Sequence, residues 1–463
     1  MMKNLIIHNL LSSMKSFRFL TSGLMVVCLF AVSGILLNSR ITQSTFDYRA
    51  GEIKNSGILE AGSKHVNALA TTRQELDCPP GRLQFISTGF DEHLPNCLTT
   101  NAFSSTSLEN ISRFNPLFPD YGILDWAFII GFVMSFLALT LTYDAITSEK
   151  ESGTLRSVLS NPLSRRQFLA AKFISADLVL LILLTVGILL NLTILSIGHP
   201  ELLSSSVIIQ TICVYGVSAI YLSIFVLGGL LVSCLTERSA TSLVLCLICW
   251  VVLVLIIPNL GGLIAETFFP ISPTRDIEAK ISLATEDITK KAPGEVWSCF
   301  TSDLHAPCYR MIAEMNRSLA ASTEAIRAGY FAEQLGQVET GTAWIKVSTG
   351  ALYGDVLARI SNAGIDRVID FQTKAAQYRE ALLNFVRTED AKDTASPHLI
   401  NPYSTELYSS APVDFRDIPK FQYTEPRTSD VLRQSLIGIL MMLIQGVVLF
   451  GFGLAAFERF DVR

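Results

Sequence analysis

Apolar residues are concentrated in six long blocks, which are separated by polar segments of very unequal length. The blocks cover residues 19–37, 123–141, 176–197, 207–231, 241–257 and 436–457. A helix of about 17 to 25 apolar residues crosses the hydrocarbon core of a bilayer, and it pairs its own backbone groups there. The pattern therefore predicts six transmembrane helices, of which the fifth ends at Pro258, Gly261 and Gly262. The first block could alternatively be a signal peptide, but it is long for one and has no clear A-x-A site.

Basic residues indicate which ends of the blocks face the cytoplasm. Lys and Arg occur in residues 1–18, in 142–175, between the fourth and fifth blocks, and in 458–463. The connection between the third and fourth blocks has neither. The positive-inside rule then places both termini in the cytoplasm, and the two long segments, 38–122 and 259–435, outside.

Composition supports this division. Hydrophobic residues make up 50% of the 463 residues and charged residues only 17%, against about 25% charged in soluble chains. This excludes intrinsic disorder and argues against a cytosolic enzyme, and a net charge of −5 is too small to indicate nucleic-acid binding. Residues 40–120 and 266–430 together hold 24 basic and 32 acidic residues, whereas the remainder holds 12 and 9. The acidity thus belongs to the outer segments.

The larger outer segment is predicted to be mainly helical. Ile277, Ile281, Ala284 and Ile288 follow helical spacing. Further helices are expected at 309–335, 343–360 and 365–387, with a break at 362–364, and the Pro-rich stretch 396–426 is expected to be a loop. The first outer segment mixes polar loop with short strands such as 83–86. Both segments are expected to fold together, against a second copy or a related subunit.

Four of the nine cysteines fall in the outer segments, and five lie in or near the apolar blocks. In an oxidising compartment, two even pairs suggest disulfides. Of the three connectivities we choose the local one, Cys78–Cys97 and Cys299–Cys308. The alternative is four free thiols.

Motifs of soluble catalysis are absent from the sequence. It has no G-x-x-x-x-G-K-[ST], no H-E-x-x-H and no G-x-S-x-G. No two of the six histidines have the spacing of metal ligands on one helix. We therefore predict no catalytic residue, no metal site and no cofactor held by this chain. Asn191, deep in the third block, is interpreted as an interhelical hydrogen-bonding residue.

The connection between the second and third blocks has a distinctive pattern. Gly153 is suited to end the helix that leaves the second block, and Thr154 to cap a new one. Leu155, Val158 and Leu159 then share a helical face, and Pro162 stops the helix. Ser164 is suited to cap the third block's helix. We predict a short helix lying across the cytoplasmic surface.

The stretch 149–172, of the form E-x-E-x-G-T-L-x-x-x-L-S-x-P-x-x-R-x-x-x-x-x-x-K, resembles permeases of the ABC-2 type exporter family. The nearest branch is the one of multicopper-enzyme-maturation permeases with a large extracytoplasmic domain, which residues 351–387 and 418–463 also resemble. The resemblance covers the membrane part well, the large outer segment moderately and 38–122 poorly. It implies an all-α integral membrane protein with six transmembrane helices of the ABC-2 exporter type and two extracytoplasmic insertions, the larger mainly helical.

The same resemblance implies which residues meet a partner. The connection at 142–175 would contain a coupling helix that docks on a separate ATPase subunit, and its interface candidates are Glu149, Glu151, Gly153, Thr154, Leu155, Leu159, Pro162 and Arg165. Residues 1–18 would form a connecting helix whose shared face carries Ile6, Leu10, Met14 and Phe17. The alternatives are solvated charges and turn formers in the first case, and an ordinary membrane-surface helix in the second.

By this resemblance the chain is expected to be the permease subunit of an ABC exporter in a prokaryotic plasma membrane. ATP and Mg would be bound by an ATPase dimer, and not by this chain, which would not be an enzyme. Other expected partners are a second permease, membrane lipid and an extracytoplasmic protein, but no nucleic acid. The alternative is a non-transporting scaffold or receptor whose outer helical domain binds a partner. Nothing in the apolar blocks indicates the substrate.

Overall fold

The structure is a computed structural model that describes residues 2–89, 97–107, 124–155, 164–292, 296 and 306–459. These residues are almost wholly helical. The helices are α1 Met2–Lys15, α2 Phe17–Gly62, α3 Val66–Thr71, α4 Trp126–Glu151, α5 Arg165–Gly198, α6 Ser205–Leu235, α7 Ser239–Phe268, α8 Thr274–Lys291, α9 Ala306–Ile345, α10 Thr349–Ile360, α11 Ile365–Lys392 and α12 Thr428–Arg459. In the same described ranges, strands β1 Gln74–Asp77, β2 Cys97–Thr100 and β3 Ser105–Ser107 form one antiparallel sheet in that order.

Six helices among the described residues are long and apolar enough to cross a membrane, namely α2, α4, α5, α6, α7 and α12. Each overlaps one predicted block, so the predicted number is confirmed. The helices are longer than the blocks because hydropathy marks the stretch that suits lipid, whereas a helix continues as long as its backbone can pair. Helix α2 is the extreme case, since it runs on to Gly62 through a polar stretch.

The predicted end of the fifth span at Pro258 is wrong. Helix α7 passes Pro258 and continues to Phe268. Proline cannot donate to the carbonyl four residues earlier, and its ring presses on that carbonyl. Here the preceding residues, Val251–Ile256, form a π-helical segment, which widens the backbone where that carbonyl lies.

Helix α10 lies among the spans, although its sequence placed it in the outer segment. Its Tyr353 and Leu357 are completely buried in the same core as α6 and α12. The Tyr353 ring stacks on Tyr221 of α6 at 4.0 Å, and its hydroxyl lies 2.9 Å from Ser218 Oγ. The helix begins at Thr349 and not at 343, because the Ser348 hydroxyl caps it by accepting from Ala351 N.

The other predicted helices of the large segment are present as α8, α9 and α11. The predicted break before α11 contains Asn362 with a φ of 53°, a left-handed conformation that asparagine tolerates. Between 396 and 426 the described chain is irregular except for a short 3₁₀ turn, Thr405–Leu407.

The two long insertions share one core, as predicted. Leu59 of α2 and Leu69 of α3 pack with Leu382 of α11 and with Tyr408 and Ile418 of the loop. The predicted strand at 83–86 is wrong, because this stretch is a buried turn. Its Phe85 and Ile86 carbonyls accept hydrogen bonds from residues 126 and 127, so they cap the start of α4 instead of pairing in a sheet.

The structure does not join Cys78 to Cys97, both of which are described and are present as thiols. In the β1–β2 ladder, Cys97 lies opposite Asp77, and neighbouring residues of a strand face opposite sides. Cys78 accordingly packs with Leu76 and Leu98 on the core side, away from Cys97. Cys308 is disulfide-bonded, and its predicted partner, Cys299, lies outside the described residues.

Candidate functional site

One end of the bundle carries the predicted coupling segment together with the start of α2 and the last turn of α12. We call it the terminal face and define it by residues 16–18, 143–155, 164–172, 233–242 and 457–459. Contacts between residues distant in sequence tie these stretches together. The arrangement is built mainly from charged side chains that meet helix ends.

Lys150 binds the end of α6. Its Nζ donates to the carbonyls of Ser233 at 3.2 Å, Cys234 at 2.6 Å and Thr236 at 2.8 Å. The last carbonyls of a helix have no intrahelical donor and carry the negative end of its dipole. An ammonium group with three donors suits this position, so Lys150 fastens the segment to α6.

The two glutamates beside Lys150 bind two other helices. Glu149 pairs with Lys172 of α5 at 2.5 Å, and both side chains are largely buried. Glu151 accepts from Ser239 N at 2.8 Å and from Ser239 Oγ at 2.9 Å, which satisfies a donor at the start of α7. Three consecutive residues thus contact α5, α6 and α7.

Neutral hydrogen bonds reinforce these links. Ser233 Oγ of α6 accepts from the backbone N–H groups of Ile146 and Thr147, at 3.0 and 3.1 Å. Ser242 Oγ of α7 donates to the carbonyl of Tyr143 at 2.7 Å. The turn at 143–146, which separates the apolar part of α4 from Thr147–Glu151, is therefore held by both α6 and α7.

The next residues of the segment differ sharply in exposure. Gly153 has a φ of 72°, a conformation that favours glycine, and the helical segment Thr147–Glu151 ends just before it, as predicted. Thr154 is exposed, and its hydroxyl lies 2.7 Å from Ser152 Oγ. Leu155 is buried in the main core, so its side chain is not offered to a partner. The other candidates of this helix, Leu159 and Pro162, lie outside the described residues.

Arg165 binds the end of α12 and not an open surface. Its Nη1 donates to the carbonyls of Phe457 at 3.0 Å and Glu458 at 2.9 Å, and Arg166 pairs with the Glu458 carboxylate at 2.8 Å. Ser164 caps α5 as predicted, in a reciprocal capping box with Gln167. The start of α5 and the end of α12 are thereby joined.

The predicted connecting helix is α1, but its face does not include Phe17. Leu10 and Met14 are half-buried against the main core, and Ile6 is half-buried. Phe17 is 78% exposed and belongs to α2, because Ser16 ends α1 and caps α2 by accepting from Phe19 N.

Arg18, just inside α2, links that helix to the turn after the apolar part of α4. Its Nη1 lies 2.9 Å from Asp144 Oδ2 and 3.0 Å from the Tyr143 hydroxyl. Sequence reasoning missed Arg18, Lys150, Lys172 and Ser239 as site residues. A signal was present in each case, since all four lie within about two and a half turns of a predicted span end, where charges and hydroxyls pair with helix termini.

Deeper in the bundle, Asn191 makes the predicted interhelical contacts. Its amide donates to the carbonyl of Phe30 at 2.8 Å and accepts from Trp126 Nε1 at 2.9 Å. It therefore joins α5 to α2 and α4.

Comparison with known proteins places this architecture in a family. The sequence profile of the ABC-2 family transporter proteins matches residues 3–462. The chain is 42% identical over 65 residues to the probable ABC transporter permease protein NosY of Stutzerimonas stutzeri, covering 14% of this chain and 24% of that protein. It is 45% identical over 56 residues to the NosY protein of Pseudomonas aeruginosa, covering 12% and 20%. The matched stretches span at most about a quarter of these relatives. The family model covers almost the whole chain, and the expected resemblance is confirmed: this multi-pass membrane protein belongs to the ABC-2 family of transporter proteins.

Proposed function

We propose that the chain is the permease subunit of an ABC transporter, in which the terminal face is cytoplasmic and receives an ATPase subunit. One observation supports this above the others. Glu149, Lys150 and Glu151 attach an exposed turn to α5, α6 and α7 at once. A partner that moves this turn would move three spans together.

The exposed part of the turn is the docking surface in this proposal. Residues 151–154 are exposed, whereas Leu155 and the ion pair of Glu149 lie inward. Among the predicted interface residues we therefore assign contact with the ATPase to Glu151, Gly153 and Thr154. Glu149 and Arg165 act as positioning residues, because each is engaged with another helix.

The transport cycle follows from this assembly. ATP and Mg are bound and ATP is hydrolysed in the ATPase dimer, which presses on two such turns, one in each permease of a pair. Lys150 passes the displacement to α6 and Glu151 to α7, and the spans rearrange to export a substrate or to transmit force to the outer insertions. These insertions would meet an extracytoplasmic protein, and the spans would meet lipid of a prokaryotic plasma membrane.

Capture of the ATPase tests the docking. The partner to use is an ABC-type ATPase encoded beside this chain, co-expressed and captured through a tag on the permease. Thr154→Arg adds bulk and charge to the exposed turn without touching a span, and it should abolish capture. Arg459→Glu is the matched control, since it changes an exposed charge in the last turn of α12 and should leave capture intact.

A second variant separates docking from transmission. Ser239→Ala removes the hydroxyl that donates to Glu151 without changing the exposed turn; it should keep the ATPase bound but weaken the link to α7, so that ATP hydrolysis continues while its dependence on the permease falls. Full capture by Thr154→Arg would refute the docking assignment. Failure of the wild-type chain to capture any ATPase, together with capture of an extracytoplasmic protein, would favour the scaffold or receptor instead.

A further inference from the structure

A narrow cavity lies between α5 and α6, beside the short connection that joins them. Its volume is about 220 Å³, which is smaller than the roughly 300–1,000 Å³ of pockets for compact small molecules. The lining is almost entirely apolar and includes Ile188, Leu192, Leu202, Ile208, Thr211 and Tyr215. A cavity of this size and polarity suits a length of hydrocarbon chain better than a bulky or charged solute.

The cavity opens towards lipid. Leu189 and Ile212 belong to its lining and are 60% and 63% exposed. An exposed leucine or isoleucine on a spanning helix faces the bilayer. A chain from the surrounding lipid can therefore enter sideways, without passing through the bundle.

The depth of the cavity is set by the helix ends. Thr211 lies six residues after the start of α6, and Leu192 six residues before the end of α5. At 1.5 Å per residue both are about 9 Å from those ends. Helix α5 has 34 residues and is about 51 Å long, against about 30 Å of hydrocarbon. Centred on the bilayer, α5 extends about 10 Å into each headgroup layer, which places Thr211 near the boundary where glycerol esters lie.

Thr211 has an unused hydroxyl at this boundary. Its side chain is buried, with 8% of the residue exposed, and Oγ1 has no hydrogen-bond partner among the described residues. Other threonines of these spans are paired: Thr185 donates to the Leu181 carbonyl and lies 3.0 Å from the Tyr215 hydroxyl. A buried hydroxyl without a partner in a cavity wall indicates a missing acceptor.

We infer that this cavity is a phospholipid site of the leaflet remote from the terminal face. One acyl chain fills the apolar cavity, and the ester carbonyl at the head of that chain accepts a hydrogen bond from Thr211 Oγ1. A lipid ester supplies an acceptor at the required depth together with the attached chain. The inference does not depend on the ATPase proposal.

Photolabelling in a bilayer tests the site. The full-length protein is reconstituted in vesicles of phosphatidylethanolamine and phosphatidylglycerol that contain a trace of phosphatidylcholine with a diazirine on its acyl chain. Labelled peptides are identified by mass spectrometry after irradiation. The wild-type protein should be labelled at residues 185–192 and 208–215. Thr211→Val keeps the shape and removes the donor, and should lower this labelling about fivefold, which is the effect of one net hydrogen bond.

Two further variants control the result. Thr193→Val removes an exposed hydroxyl at a similar depth, which donates to the Leu189 carbonyl, and should label like the wild type. Leu192→Trp fills the cavity and should abolish the labelling while thermal unfolding stays unchanged. The inference is overturned by equal labelling of Thr211→Val and Thr193→Val, by undiminished labelling of Leu192→Trp, or by a cross-link that shows a second protein chain in the cavity.

Discussion

The ion pair between Glu149 and Lys172 gives the sharpest test of how residues 147–155 are held against the spans. The two side chains are only 19% and 16% exposed, and the Oε1–Nζ distance is 2.5 Å. The second carboxylate oxygen, Oε2, is buried and has no partner among the described residues. Lys172→Met therefore leaves a buried carboxylate with neither oxygen paired.

The expected free energies follow from this asymmetry. Removing one partner of a fully buried pair costs about 3–5 kcal/mol, and partial exposure puts Lys172→Met at about 3 kcal/mol. Glu149→Gln should cost only about 1 kcal/mol, since the long Lys172 side chain can extend to water and lies 5.6 Å from the Phe168 ring. The double variant contains no uncompensated charge and should cost about 2 kcal/mol. The coupling energy is then about 2 kcal/mol, or roughly 30-fold in the unfolding equilibrium.

Together these proteins form a double-mutant cycle. Equilibrium unfolding in mixed detergent micelles measures the stability of the wild type, the two single variants and the double variant. A double variant less stable than Lys172→Met, by the full cost of Glu149→Gln, would show additivity and refute the reasoning. The matched control is the exposed pair of Arg166 and Glu458, whose side chains are 74% and 44% exposed. Its cycle should show no measurable coupling.

Three further predictions concern single positions. Gly153→Ala should lower the free energy of unfolding by about 1 kcal/mol. The cost comes from the φ of 72° alone, because an added methyl group meets no atom within 4 Å. Gly153→Asn should cost less, and equal losses of stability in the two variants would contradict this. Asn191→Leu should cost about 1–2 kcal/mol in the same unfolding assay, by breaking the bonds to Phe30 and Trp126. Tyr353→Phe should cost about 1 kcal/mol and Tyr353→Ala roughly 3–5 kcal/mol; a large loss already with Phe would show that the hydroxyl, and not ring packing, anchors α10.

The number of spans could be predicted because the thickness of the bilayer sets the number of consecutive apolar residues that a spanning helix needs. The position of α10 could not. Its twelve residues are too few to cross a membrane. Their apolar face therefore indicated only that one side of the helix is buried against another part of the protein. Helix α10 is covered by α6 and α12, and not by the rest of the long insertion, because of contacts with residues far away in sequence.

In the candidate site, too, some features could be predicted from the sequence and others could not. Local signals correctly predicted the turn at Gly153 and the cap at Ser164, since a positive φ and a capping box involve neighbours only. The partners of Lys150 and Glu151 are 83 to 88 residues away, and no spacing rule indicates them. The Cys78–Cys97 prediction failed because proximity in sequence says nothing about strand register, which turns the two side chains to opposite faces.

The length of helix α2 affects how the two ends of the molecule can move together. Its 46 residues make a rod about 69 Å long, without a proline to hinge it. One end carries Arg18, bound to Asp144, and the other carries Leu59, packed in the core shared by both insertions. A change in tilt of about 5° at the Arg18 end would swing the Leu59 end by about 6 Å over this length. If α2 moves as a rigid body, a small rotation near one surface of the membrane thus becomes a displacement of several ångströms well beyond the other.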